Sequence, residues 1–218
     1  MSAQDTEAAR RFYTRISPID DALADHHEHR ARELGLQLLD AHPGEHVLEV
    51  GFGTGGALVA LAQAVGRTGR VAGIDISEGM RDVAAHRLTA AGLNDVVDLH
   101  IAAVPPLPLQ AQSFDAAFMA FTLELFPDDT IPVLLESLRR TLKPTGRLVV
   151  VSMDSGTREH HPGVAERTYQ WMHQHFPHIV DCRAIDAAAL LRQAGFRIVR
   201  EEHLAIWGLP VAVLRGAA

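Results

Sequence analysis

The chain has 218 residues, of which 47% are hydrophobic and 22% charged, a composition that suits one medium globular domain and excludes wholesale disorder. The formal net charge of −7 argues against a nucleic-acid partner, which needs clustered Lys and Arg, and the single cysteine, Cys182, excludes an internal disulfide and a cysteine-built zinc site. Because the first residues do not resemble a secretory leader and no apolar run reaches the roughly 18 residues of a membrane helix, we expect a cytoplasmic protein without a membrane span.

The predicted elements begin with a helical segment over residues 5–42. From about residue 45, short apolar runs alternate with longer amphipathic ones, a pattern typical of βαβ units and a parallel sheet. The predicted strands are 46–50, 70–75, 96–101, 114–121 and 147–153. The predicted helices are 57–65, one from the N-cap Ser77 to about residue 91, and 128–142.

The end of the chain differs from the alternating pattern. Two further predicted strands, 196–206 and 211–214, are joined by a segment too short for a crossover helix, so we predict that they pair antiparallel. The whole is predicted to be a Rossmann-like α/β domain over residues 45–218 with helices on both faces of the sheet. Residues 1–44 are predicted to form an N-terminal helical cap over the strand ends, where an open α/β sheet binds its ligand.

A glycine-rich turn follows the first predicted strand and leads directly into a helix. Residues 49–56 read EVGFGTGG, and glycines there let a ligand press against backbone N–H groups at a helix N-terminus. The second strand ends in Asp75, about 20 residues further on, where a carboxylate can accept hydrogen bonds from ribose hydroxyls. Together these features predict an adenosine-containing ligand. The alternative is a structural turn and an Asp75 that only caps the next helix.

The spacing of the glycines leaves two cofactors open. Gly51, Gly53 and Gly56 also satisfy G-x-G-x-x-G, the fingerprint of dinucleotide-binding domains. An NAD(P)-dependent oxidoreductase is therefore an alternative, although the sequence shows neither a recognisable hydride-transfer constellation nor a second substrate domain.

Four motifs, in the order of one family, cover residues 45–153. Residues 49–55, EVGFGTG, resemble the E-x-G-x-G-x-G first motif of class I S-adenosylmethionine-dependent methyltransferases. Residues 73–80 (GIDISEGM), 113–116 (SFDA) and 142–148 (LKPTGRL) resemble that family's second motif, fourth-strand entry and fifth-strand turn. The resemblance implies a seven-stranded sheet, mostly parallel with an antiparallel C-terminal hairpin strand, and S-adenosylmethionine as the cofactor.

The resemblance also implies which residues bind S-adenosylmethionine. Glu49 and the backbone of residues 51–55 would hold its methionine end, Asp75 its ribose, and Ile76 would pack on the adenine. The chain after strand four, residues 120–122, would pass the methionine amino group and the methyl donor. The full set of implied cofactor residues is Glu49, Gly51, Phe52, Gly53, Thr54, Gly55, Asp75, Ile76, Ala103, Val104, Ala120 and Phe121.

One position departs from the family pattern. The family often carries an Asp that contacts the adenine amino group just after strand three, where this chain has Ala103. Either the backbone groups of Ala103 and Val104 supply that contact, or the affinity for the cofactor is lower than usual.

The acceptor site is predicted from weaker features. Residues 11–20 resemble the opening segment of methyltransferases of ubiquinone and menaquinone synthesis (methyltransferase type 11), and Tyr13 there either closes over the cofactor or packs in a helix. Glu124, just beyond strand four where relatives often have His, is the predicted catalytic base and acceptor-facing group. An insert over about 154–185 contains His173, which either lines an apolar acceptor pocket or belongs to a helix that covers the sheet.

No metal is expected, although residues 25–29 read DHHEH. His26 and His29 can share a helix face, but a solvated face is the favoured interpretation. The predicted function is transfer of the methyl group of S-adenosylmethionine to a small, apolar or aromatic metabolite by direct displacement, which needs no metal. An NAD(P)-dependent oxidoreductase and a non-catalytic S-adenosylmethionine-binding module remain alternatives.

Overall fold

The computed structural model describes residues 25–155, 183–206 and 209–218. In chain order they form α1 (Asp25–Leu39), β1 (His46–Val50), α2 (Gly56–Val65), β2 (Arg70–Asp75), α3 (Glu78–Ala91), β3 (Val97–Ile101), β4 (Phe114–Ala120), a 3-10 turn (Leu123–Leu125), α4 (Ile131–Thr141), β5 (Leu142–Met153), α5 (Ala187–Gln193), β6 (Arg197–Ile206) and β7 (Leu209–Ala217). None of these helices combines the length and the apolarity that crossing a bilayer requires.

The strands form one seven-stranded sheet in the order β3-β2-β1-β4-β5-β7-β6. The pairs among β1 to β5 are parallel, and β7 is antiparallel to both β5 and β6. The predicted fold class is thereby confirmed. Because β1 pairs with β2 on one side and with β4 on the other, the strand order reverses between β1 and β4, and an open α/β sheet has its ligand crevice at such a point.

Apolar side chains alternate between two cores, one on each face of the sheet. Val47 of β1 belongs to the cluster that includes α1, α2 and α3, whereas its neighbour Leu48 belongs to the cluster that includes α4 and α5. Since successive side chains of a strand point to opposite faces, one strand supplies both cores. Helices cover both faces of the sheet, as predicted.

Helix α1 packs directly on the sheet. A Cβ added to Gly35 would lie 2.6 Å from Val151 Cγ2 and 3.0 Å from Phe118 Cε2, so the glycine allows the helix to approach β4 and β5 closely. The Arg147 guanidinium of β5 donates to the carbonyl oxygen of Leu39 at 2.5 Å. The described part of the N-terminal segment thus shares the core of the sheet. Residues 1–24 lie outside the described ranges, and the division of the chain at residue 44 stays a prediction.

The start of β5 differs from the prediction. The strand predicted to begin at Arg147 begins at Leu142. The predicted start was wrong because residues 143–146 contain a proline and a glycine, which usually mark a turn between elements. In the structure Phe114 of β4 pairs with Leu142 and Ala116 pairs with Arg147, and a register shift between these pairs accommodates the additional residues. The irregularity keeps the chain within the sheet instead of ending the strand.

Two further elements differ in length. Helix α4 begins at Ile131 rather than at residue 128, because Thr130 N–H donates to the carbonyl oxygen of Pro127 in a turn before the helix. Strand β7, predicted over 211–214, extends over Leu209–Ala217 because it pairs along its length with both β5 and β6.

Candidate active site

The candidate site lies at the carboxyl ends of β1 and β4. A Cβ added to Gly51, after β1, would lie 2.3 Å from the side chain of Thr122, after β4, so the two chain segments touch. The φ of 76° at Gly51 also favours glycine. The Oγ1 of Thr122 donates to the carbonyl oxygen of Ala120 at 2.9 Å. The glycine turn, residues 51–55, and the chain leaving β4 therefore form two sides of one crevice.

The other two glycines of the turn serve different purposes. Gly55 has a φ of 82°, and a Cβ there would lie 2.8 Å from Ala84 Cβ of α3, so glycine allows α3 to pack against the turn. Gly53 has a φ of 50°, and a Cβ there would meet no atom of the described residues within 4 Å. The turn is therefore packed at its ends and open at Gly53, where a ligand can approach the backbone.

Asp75, at the end of β2, fastens the glycine turn. Its Oδ2 accepts the N–H of Gly53 and its Oδ1 accepts the N–H of Ser77, each at 2.9 Å. Burial raises the pKa of Asp75 despite the backbone hydrogen bonds that lower it. Because each carboxylate oxygen has a second lone pair, the group that shapes the turn can also accept ribose hydroxyls, as the sequence predicts.

We expect Asp75→Ala to weaken the binding of S-adenosylmethionine by about 1.5–3 kcal/mol, which is the usual contribution of hydrogen bonds to a charged acceptor. The variant also releases the N–H of Gly53, so both effects act in the same direction. Titration calorimetry measures the loss, with Asp98→Ala on the exposed side of β3 as the matched control. A loss below about tenfold would indicate that Asp75 shapes the turn and the helix start without binding the ribose.

Glu49 is a buried carboxylate immediately before the turn. It is 3% exposed, and its Oε2 has no hydrogen-bond partner among the described residues. Burial raises the pKa of Glu49 well above its ordinary value, the charge of Arg32 lowers it, and the charge of Asp75 raises it. A buried acceptor without a donor is costly in a folded protein, so its presence at the end of β1 points to a ligand that supplies the donor.

We expect Glu49→Gln to remove a pH-dependent loss of stability from the ligand-free protein. A group whose native pKa is raised stabilises the fold fully below its unfolded-state pKa of ~4.3 and loses that contribution as the pH rises through the native value. Between these two pKa values the free energy of unfolding should therefore fall by up to about 1.4 kcal/mol per pH unit, and the glutamine variant should lack this fall. Denaturant unfolding over a pH series measures it.

The matched control for this variant is Glu136→Gln, at an exposed position of α4. It should keep the pH dependence of the wild-type protein. Equal pH dependence in Glu49→Gln and in the wild-type protein would contradict the raised pKa of Glu49.

The residues predicted near the adenine lie beside Asp75. The N–H of Ala102 donates to the carbonyl oxygen of Asp75 at 3.0 Å, which brings the chain after β3 to the end of β2. Ala103 is exposed, and Val104 and Ile76 are half-buried, so these residues can be reached by a ligand. Their contacts with adenine stay a prediction.

Phe52 can contribute its backbone to the site, but not its side chain. Its ring is 3% exposed, and a Cβ added to Gly73 of β2 would lie 2.9 Å from Phe52 Cδ1. The side chain is therefore part of the core, and any contact of Phe52 with a ligand comes from its backbone.

The chain leaving β4 bends sharply at Phe121. This residue has a φ of 52°, which is uncommon for residues other than glycine, asparagine and aspartate. Its N–H donates to the carbonyl oxygen of Val151 at 2.8 Å. Such backbone conformations often occur at functional sites. Ala120 and Phe121 lie where the sequence predicts the methyl donor, and their role stays a prediction.

Glu124 lies in the 3-10 turn after β4 and is 1% exposed. Its Oε1 accepts the N–H of Met153 at 3.1 Å, so it connects the chain leaving β4 with the end of β5. Arg183 donates to the carbonyl oxygens of Glu124 and Phe126 at 3.2 and 2.7 Å, and it pairs with Asp128 at 2.5 Å. Glu124 lies just beyond β4, as predicted from the sequence. Its role as a base stays a prediction.

Three arginines lie at this site without having been predicted from the sequence: Arg32, Arg87 and Arg183. The first two lie at the start of α2, because a Cβ added to Gly56 would be 3.2 Å from Arg32 Nη1 and 3.3 Å from Arg87 Nη1. In sequence each resembles an ordinary basic residue on a solvated surface. Their positions follow from helix packing, for which no local signal exists.

Tyr13 and His173 lie outside the described residues, and so does the side chain of His26. His29 forms an exposed i, i+4 pair with Glu33 at 3.1 Å. Within the described ranges no group of three His, Cys, Asp or Glu residues is arranged to hold a metal ion.

Residues 47–146 match the sequence profile of a family described as a methyltransferase domain. The matched residues are just under half of the chain. The chain is 33% identical over 150 residues to the 2-phytyl-1,4-naphtoquinone methyltransferase of Trichormus variabilis, a match that covers 67% of this chain and 65% of that protein. It is 36% identical over 107 residues to the demethylmenaquinone methyltransferase of Symbiobacterium thermophilum, covering 49% and 42%. The chain thus spans less than two thirds of the length of these relatives.

Solved structures share the fold over nearly the whole chain. A SAM dependent methyltransferase from Aquifex aeolicus superposes with a TM-score of 0.64 at 22% identity and full coverage of both chains. The [4+2]-cyclase SpnF superposes with a TM-score of 0.76 at 18% identity, covering 97% of this chain and 96% of that one. At these identities the likeness concerns the fold alone.

S-adenosylmethionine, the cofactor that the sequence motifs imply, fits the residues of the crevice. The unpartnered oxygen of Glu49 matches its ammonium group, and Gly53 leaves the turn open to a ligand. The two oxygens of Asp75 lie beside the turn with lone pairs to spare. The unpartnered oxygen of Glu49 is the feature that packing of the turn alone does not explain.

Proposed function

We propose that this chain is an enzyme that transfers the methyl group of S-adenosylmethionine to a small, apolar or aromatic metabolite. The observation that carries the proposal is Glu49, a buried carboxylate with an unpartnered oxygen directly before the glycine turn. A dinucleotide would bring its anionic pyrophosphate to this turn, and that group has no donor for the unpartnered oxygen of Glu49. An ammonium group is attracted to the same position, which favours S-adenosylmethionine over NAD(P).

The cofactor, when bound, supplies a methyl group already activated on a sulfonium. The protein has to hold the reactants in line and to exclude water. In the proposed arrangement Glu49 accepts from the ammonium, the open backbone at Gly53 lies against the cofactor, and Asp75 accepts from the ribose. Ile76, Ala103 and Val104 flank the adenine. The remaining proposed cofactor residues are Gly51, Phe52, Gly53, Thr54, Gly55, Ala120 and Phe121.

For the acceptor we propose an aromatic ring of the quinone class. Two relatives are named for a naphthoquinone and for demethylmenaquinone, and the resemblance of residues 11–20 to the opening of such enzymes agrees with this class. Near Glu124 the structure has apolar side chains to receive a ring: Leu125 is 37% exposed, and Phe126 is half-buried. Residues 1–44, with Tyr13, and the insert at about 154–185, with His173, are proposed to complete the acceptor site.

The test is transfer of an isotope label from the methyl group of S-adenosylmethionine to a 2-alkyl-1,4-naphthoquinone. The ring is offered both oxidised and reduced, since the reduced ring is the better nucleophile for a methyl cation equivalent. We expect labelled product from the reduced form, and no calorimetric binding of NAD. Binding of NAD without binding of S-adenosylmethionine would overturn the proposal.

A non-methylating activity is the second candidate, because the structurally similar SpnF is named a cyclase. Folds host more than one chemistry. Tight binding of S-adenosylmethionine without label in any product of a metabolite extract would favour that alternative or a non-catalytic module. The expected cytoplasmic location stays a prediction.

A further inference from the structure

The turn that carries Glu124 has few hydrogen bonds of its own. It is a single 3-10 turn, Leu123–Leu125, closed by two backbone hydrogen bonds of 3.1 and 3.3 Å, and such short pieces have poorer hydrogen-bond geometry than an α-helix. The carbonyl oxygens of Glu124 and Phe126 accept instead from Nε and Nη2 of Arg183, at 3.2 and 2.7 Å. The conformation of the turn therefore depends on a side chain 59 residues away in the sequence.

Arg183 is held close to the sheet through its near neighbour Ile185. Ile185 forms a parallel bridge with Asp154, in which its N–H donates to the carbonyl oxygen of Met153 at 3.1 Å and its carbonyl oxygen accepts the N–H of Ser155 at 3.2 Å. The side chain of Ile185 is buried in the core. The guanidinium that reaches the turn thus comes from a chain segment that is fastened to the end of β5.

The side chain of Glu124 reaches the same end of β5. Its Oε1 accepts the N–H of Met153 at 3.1 Å, while the carbonyl oxygen of Met153 accepts the N–H of Ile185. Because the N–H and the C=O of one strand residue point to the same side, Glu124 and Ile185 occupy neighbouring positions along one edge of β5. Glu124 is therefore held at its carboxylate by β5 and at its backbone by Arg183.

We propose that Arg183 is a positioning residue for the methyl transfer: by holding the two carbonyl oxygens of the 3-10 turn, it sets the direction in which the Glu124 carboxylate points. The inference rests on the proposed function, with Glu124 as the base. Arginine suits this task because its planar guanidinium presents several donors in a fixed fork. The ion pair of Arg183 with Asp128 contributes less, since the Asp128 side chain is 84% exposed and solvent weakens exposed pairs.

The first test compares turnover with cofactor binding. Arg183→Ala should lower turnover on the reduced naphthoquinone by about tenfold or more, because small misplacements of a reacting group can cost about a hundredfold. Its affinity for S-adenosylmethionine should stay within about twofold of the wild type. Arg183→Lys keeps the charge but not the fork, so its turnover should stay at least about threefold below the wild type. The matched control, Asp128→Asn, keeps both carbonyl hydrogen bonds and should retain wild-type turnover.

A double-mutant cycle shows whether Arg183 acts through Glu124. In the Glu124→Gln background, Arg183→Ala should lower turnover by less than about twofold further, because residues that act as one unit are not additive. Thermal melting confirms that each variant is folded. Equal losses in the two backgrounds would overturn the inference, and so would wild-type turnover in Arg183→Ala or Arg183→Lys.

A measurement that needs no turnover separates this inference from the proposed function. In the ligand-free protein, Arg183→Ala should speed hydrogen exchange of the Met153 amide by about tenfold or more, whereas Asp128→Asn should keep the wild-type rate. An unchanged Met153 amide would overturn the inference at any level of activity. If the wild-type protein transferred no label to the naphthoquinone while this amide responded as expected, the proposed function would fail and the positioning of Glu124 by Arg183 would stand.

Discussion

Gly53→Val is expected to abolish the binding of S-adenosylmethionine while the protein still folds. The Cβ position of Gly53 meets no atom of the described residues within 4 Å, so the protein has room for the side chain, which would fill the space where the ligand meets the turn. The φ of 50° adds strain of about 1–2 kcal/mol for a residue with a Cβ, and more for a β-branched one. We expect no heat of binding even at ligand concentrations about a hundredfold above the wild-type Kd.

A second glycine with a positive φ and an open Cβ position, outside the candidate site, provides a control. Gly92, which ends α3, has a φ of 69° and likewise meets no described atom within 4 Å of its Cβ position. Gly92→Val should therefore lose similar stability and keep its affinity for S-adenosylmethionine. If Gly53→Val is folded and binds like the wild type, the glycine turn is not the cofactor site.

Local chemistry explains why most elements could be predicted from the sequence. Ser77 caps α3 by accepting the N–H of Met80 at 3.2 Å, and Gly92 ends the same helix in the left-handed conformation. Both signals depend on residues within one helical turn of the boundary. The buried strands were equally visible, because strands covered on both faces appear as short continuous apolar runs.

The start of β5 could not be predicted for a physical reason. Residues 143–146 contain Pro144 and Gly146, which in isolation disfavour a strand. Whether they continue the strand depends on Leu142 pairing with Phe114, a partner distant in the chain. The hydrophobic periodicity of neither strand indicates a pairing that includes a register shift.

At the site, too, the sequence predicts what depends on neighbouring residues and not what depends on tertiary packing. The sequence places Glu49 and Asp75 correctly at the ends of β1 and β2, since those positions follow from strand boundaries. It does not indicate that Glu49 is buried with an unpartnered oxygen, or that Arg32 of α1 lies near it. The position of Arg32 follows from the packing of α1 on the sheet, whereas the sequence predicts for this segment only a cap over the strand ends.

Glu124→Gln is expected to lower turnover by about a hundredfold or more and to leave the affinity for S-adenosylmethionine nearly unchanged. If the acceptor is a hydroxyl, an amine or a ring carbon, a proton must leave as the methyl group arrives, and a nearby carboxylate can receive it. Glutamine has the same shape and cannot act as that base. Steady-state turnover on the reduced naphthoquinone and calorimetric binding of the cofactor measure the two quantities separately, with Glu136→Gln as the exposed control.

Met153 N–H donates to Glu124 Oε1 at 3.1 Å, so a loss of turnover could also come from a positioning role of Glu124. The experiment must distinguish this role from that of a base. Glu124 would then act only by holding the end of β5 against the turn after β4. Glutamine retains an acceptor for that N–H, whereas alanine does not. A positioning role therefore predicts near-normal turnover in Glu124→Gln and a loss in Glu124→Ala, while a base predicts a similar loss in both. Near-normal turnover in the glutamine variant would move the search for a base to His173, or show that the transfer needs none.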